Sequence, residues 1–245
     1  MLTAGVDLAA QPQRTAVAWL EWTAGGCSVR EVRLGCDDDV VVDALRGADK
    51  SGVDCPLGWP TPFVEFVQAH AAGHVPAPRD GDWRRKLTMR LTDQVVYERV
   101  RMTPLSVSAD KIGHVAMRCA VLLARLAAEG RPVDRAGGGP VVEVYPAASL
   151  GRWGLDHRNY KRARNVVRLG ELVGALRGLA PWLDLGPYEE LCRASDDATD
   201  AVVAALTARA AALGRTIGPG EGEAGLARAE GWIALPVGSL DDLRP

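Results

Sequence analysis

The stretch "TAGVDLAAQPQRTAVAWLEWTAGGCSVREVRLG" (3–35) decides the fold. Its first part, TAGVDLA (3–9), is an apolar run of strand length. RTAVAWLEW (14–22) is partly alternating, and CSVREVRLG (27–35) alternates polar and apolar residues. Gln11-Pro12-Gln13 and Gly25-Gly26 supply turns between them. Three strands joined by connections too short for a crossover predict an antiparallel meander.

Further along, DDDVVVDALRGA (37–48) predicts a short helix, with acids in the first turn where the helix dipole favours them and Gly47 near the end. SGVDCPLG (51–58) predicts a strand stopped by Pro56. A strand, helix, strand passage implies a parallel crossover. Residues 61–135 then read as an insertion between the fourth and fifth strands. Within it, Thr61-Pro62 starts a helix running through His70, and 75–90 is mostly loop. In 111–130, Ile112, Val115, Ala116, Cys119, Leu123 and Leu126 share one helical face. GGGPVVEVYP (137–146) is a glycine turn and a buried strand. Residues 160–179 predict a helix with a basic first half, 195–210 an apolar helix, and 231–236 a short extended segment. The sum is one domain, 1–245, of α/β or α+β class with a mixed sheet.

The composition agrees with a large core: 47% of the 245 residues are hydrophobic. No apolar run approaches the ~20 residues needed to span a bilayer, so no membrane partner is expected. The start lacks a basic segment followed by an apolar one, and no secretion signal is expected. The five cysteines are scattered without a CxxC pair, which argues against a disulfide framework or a cysteine zinc site and points to the cytoplasm. Charge is divided along the chain. Residues 1–78 carry 5 basic and 10 acidic side chains, 79–182 carry 19 and 10, and 183–245 carry 5 and 11. A positive middle between negative ends is either a solvated face or a phosphate-binding surface beside a carboxylate site.

The acids carry the chemistry. Asp7, Asp54 and Glu143 each sit inside an apolar strand, although Asp is poor in strands and a buried carboxylate is costly without a partner. Taken singly, each is explained by capping a neighbouring turn. Together they suggest convergence at one edge of the sheet, where open α/β sheets place ligands. A second group, Asp196, Asp197 and Asp200, stands at the mouth of the apolar helix 195–210. Asp197 and Asp200 are three apart and share a side; Asp196 is better placed as a cap or a supporting residue. Clustered carboxylates need a positive partner, and a hard divalent cation, Mg²⁺ or Mn²⁺, is the common one.

GVDLA (5–9), VDCPLGWP (53–60), RLTD (90–93), EVYPAA (143–148), YK (160–161), DDATDAVVAALTAR (196–209) and EGWIALP (230–236) occur in order over nearly the whole chain. In this set the chain resembles domain-of-unknown-function family 429, predicted nucleases of ribonuclease H-like fold. The resemblance implies a five-stranded mixed sheet, its first three strands antiparallel, flanked by helices. It implies Asp7, Asp54, Asp197 and Asp200 as catalytic metal ligands, with Glu143 as ligand or supporting acid. It also implies that Arg90 and Asp93 order the insertion against the site. The sugar kinases of related fold have a glycine-containing phosphate hairpin after the first aspartate; DLAAQPQRT has no glycine, so a kinase is not expected.

The expected reaction is two-metal hydrolysis of nucleic-acid phosphodiester bonds, with two ions about 3.5–4 Å apart. Asp7 would bridge both, Asp54 would hold one, and Asp197 with Asp200 the other. Arg84, Arg85 and Lys86 are expected to contact the DNA or RNA backbone first, with Arg158, Lys161, Arg162 and Arg164 second. Trp59, Trp83 and Trp153 fit packing better than base stacking. Two rival readings stand beside the nuclease: a non-catalytic nucleic-acid-binding module, and a metal-dependent hydrolase of a small nucleotide-like or phosphorylated metabolite.

Overall fold

The computed structural model describes residues 1–75, 77 and 80–245; Pro76, Pro78 and Arg79, part of the expected 75–90 loop, lie outside the described residues. The meander is present. β1 (Leu2–Asp7) pairs antiparallel with β2 (Ala16–Thr23), and β2 with β3 (Gly26–Leu34). α1 (Asp38–Gly47) follows, capped by the Asp37 carboxylate, which accepts from the Val40 backbone N–H at 3.0 Å. β4 (Lys50–Asp54) then returns parallel to β1.

The segment from β4 to the next strand holds α2 (Thr61–Ala71), α3 (Trp83–Thr88), α4 (Leu91–Val100) and α5 (Gly113–Ala128). The helices at 61–71 and 113–128 match the expected ones. α3 lies where loop was expected, since six residues are too few to show a period. Beyond it come β5 (Val141–Glu143), α6 (Pro146–Arg152), α7 (Val166–Leu179), β6 (Leu183–Asp184), α8 (Glu189–Ala194) and α9 (Asp196–Ala212). The chain ends through β7 (Thr216–Ile217), α10 (Ala224–Glu230) and β8 (Leu235–Pro236), with β7 and β8 forming a separate two-stranded pair.

The main sheet is mixed and has six strands rather than five, in the order β5-β4-β1-β2-β3-β6. The extra one is the two-residue β6, parallel to the edge of β3. A pair of residues carries no alternation that a sequence could reveal. Helix was also expected from residue 160, but α7 begins at Val166 after a 3-10 turn at Ala163–Asn165. Asn159 and Arg162 have φ of 58° and 82°, which breaks any helix there.

Both faces of the sheet are covered, so β1 and β4 are buried along most of their length rather than alternating. On one side Ala4, Val6, Val17 and Val53 pack with Val41, Val42 and Leu45 of α1 and Cys119, Leu122 and Leu126 of α5. On the other side Ala18, Leu20 and Trp22 pack with Ala201, Val202, Ala205 and Leu206 of α9 and with Leu169, Val173 and Leu176 of α7.

α9 comes unusually close to the sheet. Gly5 and Gly52 are register partners on β1 and β4. A Cβ on Gly5 would stand 2.0 Å from the Ala201 carbonyl oxygen, and one on Gly52 would stand 2.5 Å from that of Ala204. The glycines let the backbone of α9 rest on the two central strands. That contact fixes where the first turn of α9 ends up.

Candidate metal centre

Side chains alternate along a strand, so Asp7 shares the α9-facing side with Gly5, and Asp54 shares it with Gly52. Asp7 and Asp54 are themselves register partners, side by side at the carboxyl ends of two parallel strands. Two strand residues advance about 6.6 Å and one helical turn about 5.4 Å. A helix seated on Gly5 and Gly52 through Ala201 and Ala204 therefore sets Asp200, one turn before Ala204, over the two aspartates. Carboxylate oxygens of Asp7, Asp54 and Asp200 all lie within 4.8 Å of one another.

With no cation between them, burial and mutual repulsion raise the carboxyl pKa values of this trio. Burial pushes the Asp7 carboxyl well above its ordinary range, with Asp200 and Asp54 adding to it. Burial raises Asp54 to about 7, although Lys161 opposes the rise. Asp200 is raised by burial, while Lys161 and Tyr160 hold it back. The Tyr160 hydroxyl donates to Asp200 Oδ1 at 2.7 Å, and Lys161 Nζ lies 2.5 Å from Asp200 Oδ2. Burial alone would lower the Lys161 ammonium, but the surrounding acids outweigh it and hold its pKa well above the ordinary value.

The other two expected ligands, Asp197 and Glu143, are not grouped with the trio, although Glu143 lines the same cavity. Asp197 receives two hydrogen bonds of 3.0 Å from Arg14, in the turn after β1, rather than joining the trio. Arg14 comes within reach because the turn after Asp7 folds back over the helix mouth. Glu143 is also outside the trio. Arg90 donates to it at 2.9 and 2.7 Å, and the Leu57 backbone N–H donates at 2.9 Å. The same guanidinium reaches Asp93 at 3.1 and 2.8 Å, and all three residues are buried. The Arg90-Asp93 element thus joins α4 to β5. The helix cap expected of Asp196 is supplied by Ser195, which accepts from Ala198 N at 3.3 Å. Asp196 instead accepts from the Arg162 backbone N–H at 3.0 Å and so ties down the segment carrying Lys161.

A cavity of about 610 Å³ opens over the trio. Met102, Leu105, Ile112 and Val115 from the insertion line it on one side, and Lys161, Arg162 and Arg164 bring positive charge on the other. The first-choice nucleic-acid residues Arg84, Arg85 and Lys86 do not line it; Lys86 pairs with Asp80 at 2.6 Å. Arg158 does not line it either. Trp153 is buried in the core, Trp59 packs against the apolar cluster beneath α1 and α5, and Trp83 leans on Phe66 with ring centroids 6.3 Å apart.

Three supporting residues have no role assigned from the sequence, although Tyr160 and Glu230 fall in the ordered motifs YK and EGWIALP. Arg118 of α5 donates to the Ala9 carbonyl at 2.7 Å and to Thr15 Oγ1 at 2.6 Å, so the insertion holds the turn that follows Asp7. The buried Glu230 accepts from the Thr61 and Leu91 backbone N–H groups at 2.7 and 3.1 Å, serving the N-termini of α2 and α4 together. Tyr160 differs from a core tyrosine only by its contact with Asp200. All five cysteines are free and buried, and no described helix is long and apolar enough to cross a membrane.

The donor set fits a hard divalent ion: three carboxylates, with no sulfur or imidazole among them. A family model described as "Protein of unknown function (DUF429)" matches residues 5–224, which takes in six of the seven ordered motifs; EGWIALP (230–236) lies past the matched residues. No curated protein and no solved structure matches the chain.

Proposed function

From the premise that the chain belongs to the DUF429 family, we propose that it is a divalent-metal-dependent phosphodiesterase acting on nucleic acid, built on a ribonuclease H-like fold. The family's description names no activity, so the reading rests on the site. The observation that carries it is the convergence of Asp7, Asp54 and Asp200, 193 residues apart at the extremes, to within 4.8 Å. The strand order β5-β4-β1-β2-β3, with one antiparallel arm of three strands and α9 crossing the centre, supports the fold assignment. The free cysteines suit a cytoplasmic place of work.

Asp7, Asp54 and Asp200 would hold Mg²⁺ or Mn²⁺. When bound, the metal would supply positive charge at the phosphoryl group and lower the pKa of the attacking water. The chain's own residues do the rest. Tyr160 fixes the rotamer of Asp200 through its hydroxyl. Arg162 and Arg164 at the cavity lip bind phosphate oxygens of the substrate backbone. Met102 and Leu105 give the cavity an apolar wall that receives the flat face of a base.

The test is hydrolysis of end-labelled single-stranded, duplex and hybrid DNA and RNA with Mn²⁺ or Mg²⁺, beside the Asp7→Asn variant. Cleavage that needs both the metal and Asp7 supports the reading; absence of cleavage, or cleavage that survives the substitution, overturns it. The shape of the cavity favours one second reading. A volume of about 610 Å³ lies in the range of small-ligand pockets, which suits hydrolysis of a nucleotide-sized metabolite. A panel of mononucleotides and dinucleotides in the same assay separates the two.

A further inference from the structure

We propose that the centre takes a single divalent ion, with the Lys161 ammonium as its second positive charge. The inference rests on the metal reading above and sharpens it.

The ligand set expected for a second ion is already engaged by the chain. Asp200 gives Oδ1 to the Tyr160 hydroxyl and Oδ2 to Lys161 Nζ. Asp197 gives both oxygens to Arg14. By contrast, no side-chain hydrogen bond among the described residues involves the carboxylates of Asp7 or Asp54, which stand next to each other across β1 and β4. Asp7 and Asp54 are open on both oxygens; Asp200 keeps a lone pair on each oxygen for an ion shared with them, and Asp197 is held by Arg14.

Charge gives the same answer. Three carboxylates facing one ammonium leave two negative charges without a partner, which is the charge of one divalent ion. Two such ions beside a retained Lys161 would place five positive charges against three acids, and like charges a few ångströms apart at the floor of a cavity repel one another. The backbone is arranged to keep the ammonium there. Asn159 and Arg162 adopt φ of 58° and 82° on either side of Tyr160 and Lys161, a conformation that side-chain-bearing residues rarely take. The Asp196 carboxylate secures the far end through the Arg162 N–H at 3.0 Å. A surface lysine whose only role was to meet a phosphate would need neither device.

The experiment is a titration of the full chain with Mn²⁺, with free Mn²⁺ read by electron paramagnetic resonance. The expected count is one ion per chain, lost in Asp7→Asn. The Lys161→Met variant should bind that ion at least tenfold more tightly, because a neighbouring positive charge has gone. Lys161→Gln serves if the methionine variant does not fold, and the wild-type count stands whichever is used. Two ions per wild-type chain, or unchanged affinity on removing Lys161, overturns this inference and leaves the metal reading intact. No binding by wild type or by either lysine variant overturns both.

Discussion

Arg90 and Glu143 face each other through two parallel hydrogen bonds of 2.9 and 2.7 Å, and both side chains are 2% exposed. One comes from the insertion and the other from β5. Removing one partner leaves the other as a buried charge without compensation. Arg90→Met should therefore destabilise the protein by about 3–5 kcal/mol, measured by urea denaturation. Glu143→Gln keeps the shape but not the charge, and should also be destabilising. If Arg90→Met unfolds at the wild-type midpoint, this pair does not join the insertion to the sheet.

Gly5→Ala is expected to damage stability and site together. Its Cβ would meet the Ala201 carbonyl at 2.0 Å, and only displacement of α9 relieves the clash. A cost of about 3 kcal/mol or more is expected, at the upper end of overpacking effects, with weaker Mn²⁺ binding. Gly178→Ala in α7 is the control, since nothing lies within 4 Å of where its methyl group would stand. It should stabilise by about 0.5–1 kcal/mol. Thermal denaturation of the two variants, with Mn²⁺ titration of the first, checks both.

The trio makes the metal-free protein sensitive to pH. Burial raises Asp54 to about 7 in the folded state, above its ordinary value of 3.8. A carboxyl that binds its proton more tightly when folded contributes stability that is full below the unfolded pKa and lost as pH rises through the folded one. In EDTA, the stability carried by Asp54 should fall between about pH 4 and 7. Asp54→Asn should remove that fall, on the order of 2 kcal/mol, so that the variant is more stable than wild type at pH 8. Melting curves across this range test it; parallel pH profiles for the two proteins would show that Asp54 is not the group responsible.

Two clusters of basic residues are predicted to separate in a binding assay. Arg162 and Arg164 line the cavity, whereas Arg84, Arg85 and Lys86 do not. Replacing the first pair with alanine should weaken binding of a single-stranded oligonucleotide about tenfold or more at low salt and flatten its salt dependence. Replacing all three residues of α3 should change it less than threefold, a difference of about 0.7 kcal/mol or below. Fluorescence anisotropy in Ca²⁺ at several salt concentrations gives both numbers.

The parts of the fold legible in the sequence are those with a long repeating signal. The meander of 3–35 announces itself by strand-length apolar runs and tight turns, and α5 by the spacing of Ile112 to Leu126. β6, at two residues, and α3, at six, are too short to have a period. The break at Asn159 to Arg162 is hidden because no glycine or proline marks it. Its conformation follows from where Tyr160 and Lys161 must reach, which is a tertiary demand.

The same distinction runs through the site. Asp7, Asp54 and Asp200 stand out because acids are out of place in apolar elements, and the structure brings these three together. Asp197 and Glu143 look identical to them in sequence. What sets them apart is a partner distant along the chain, Arg14 for one and Arg90 for the other. Lys161 reads in the sequence as a surface contact for phosphate, because nothing in a basic stretch says which ammonium turns inward.

Arg118 reaches from α5 to the Ala9 carbonyl, two residues past Asp7, and Arg90 reaches from α4's cap to β5. The helices between β4 and β5 are therefore not a detachable accessory. A miniaturised protein made by splicing residue 60 to residue 136 would keep every acid of the trio, yet would lose both struts that brace the strands bearing them. Shortening of this chain by evolution or by design has to begin somewhere else.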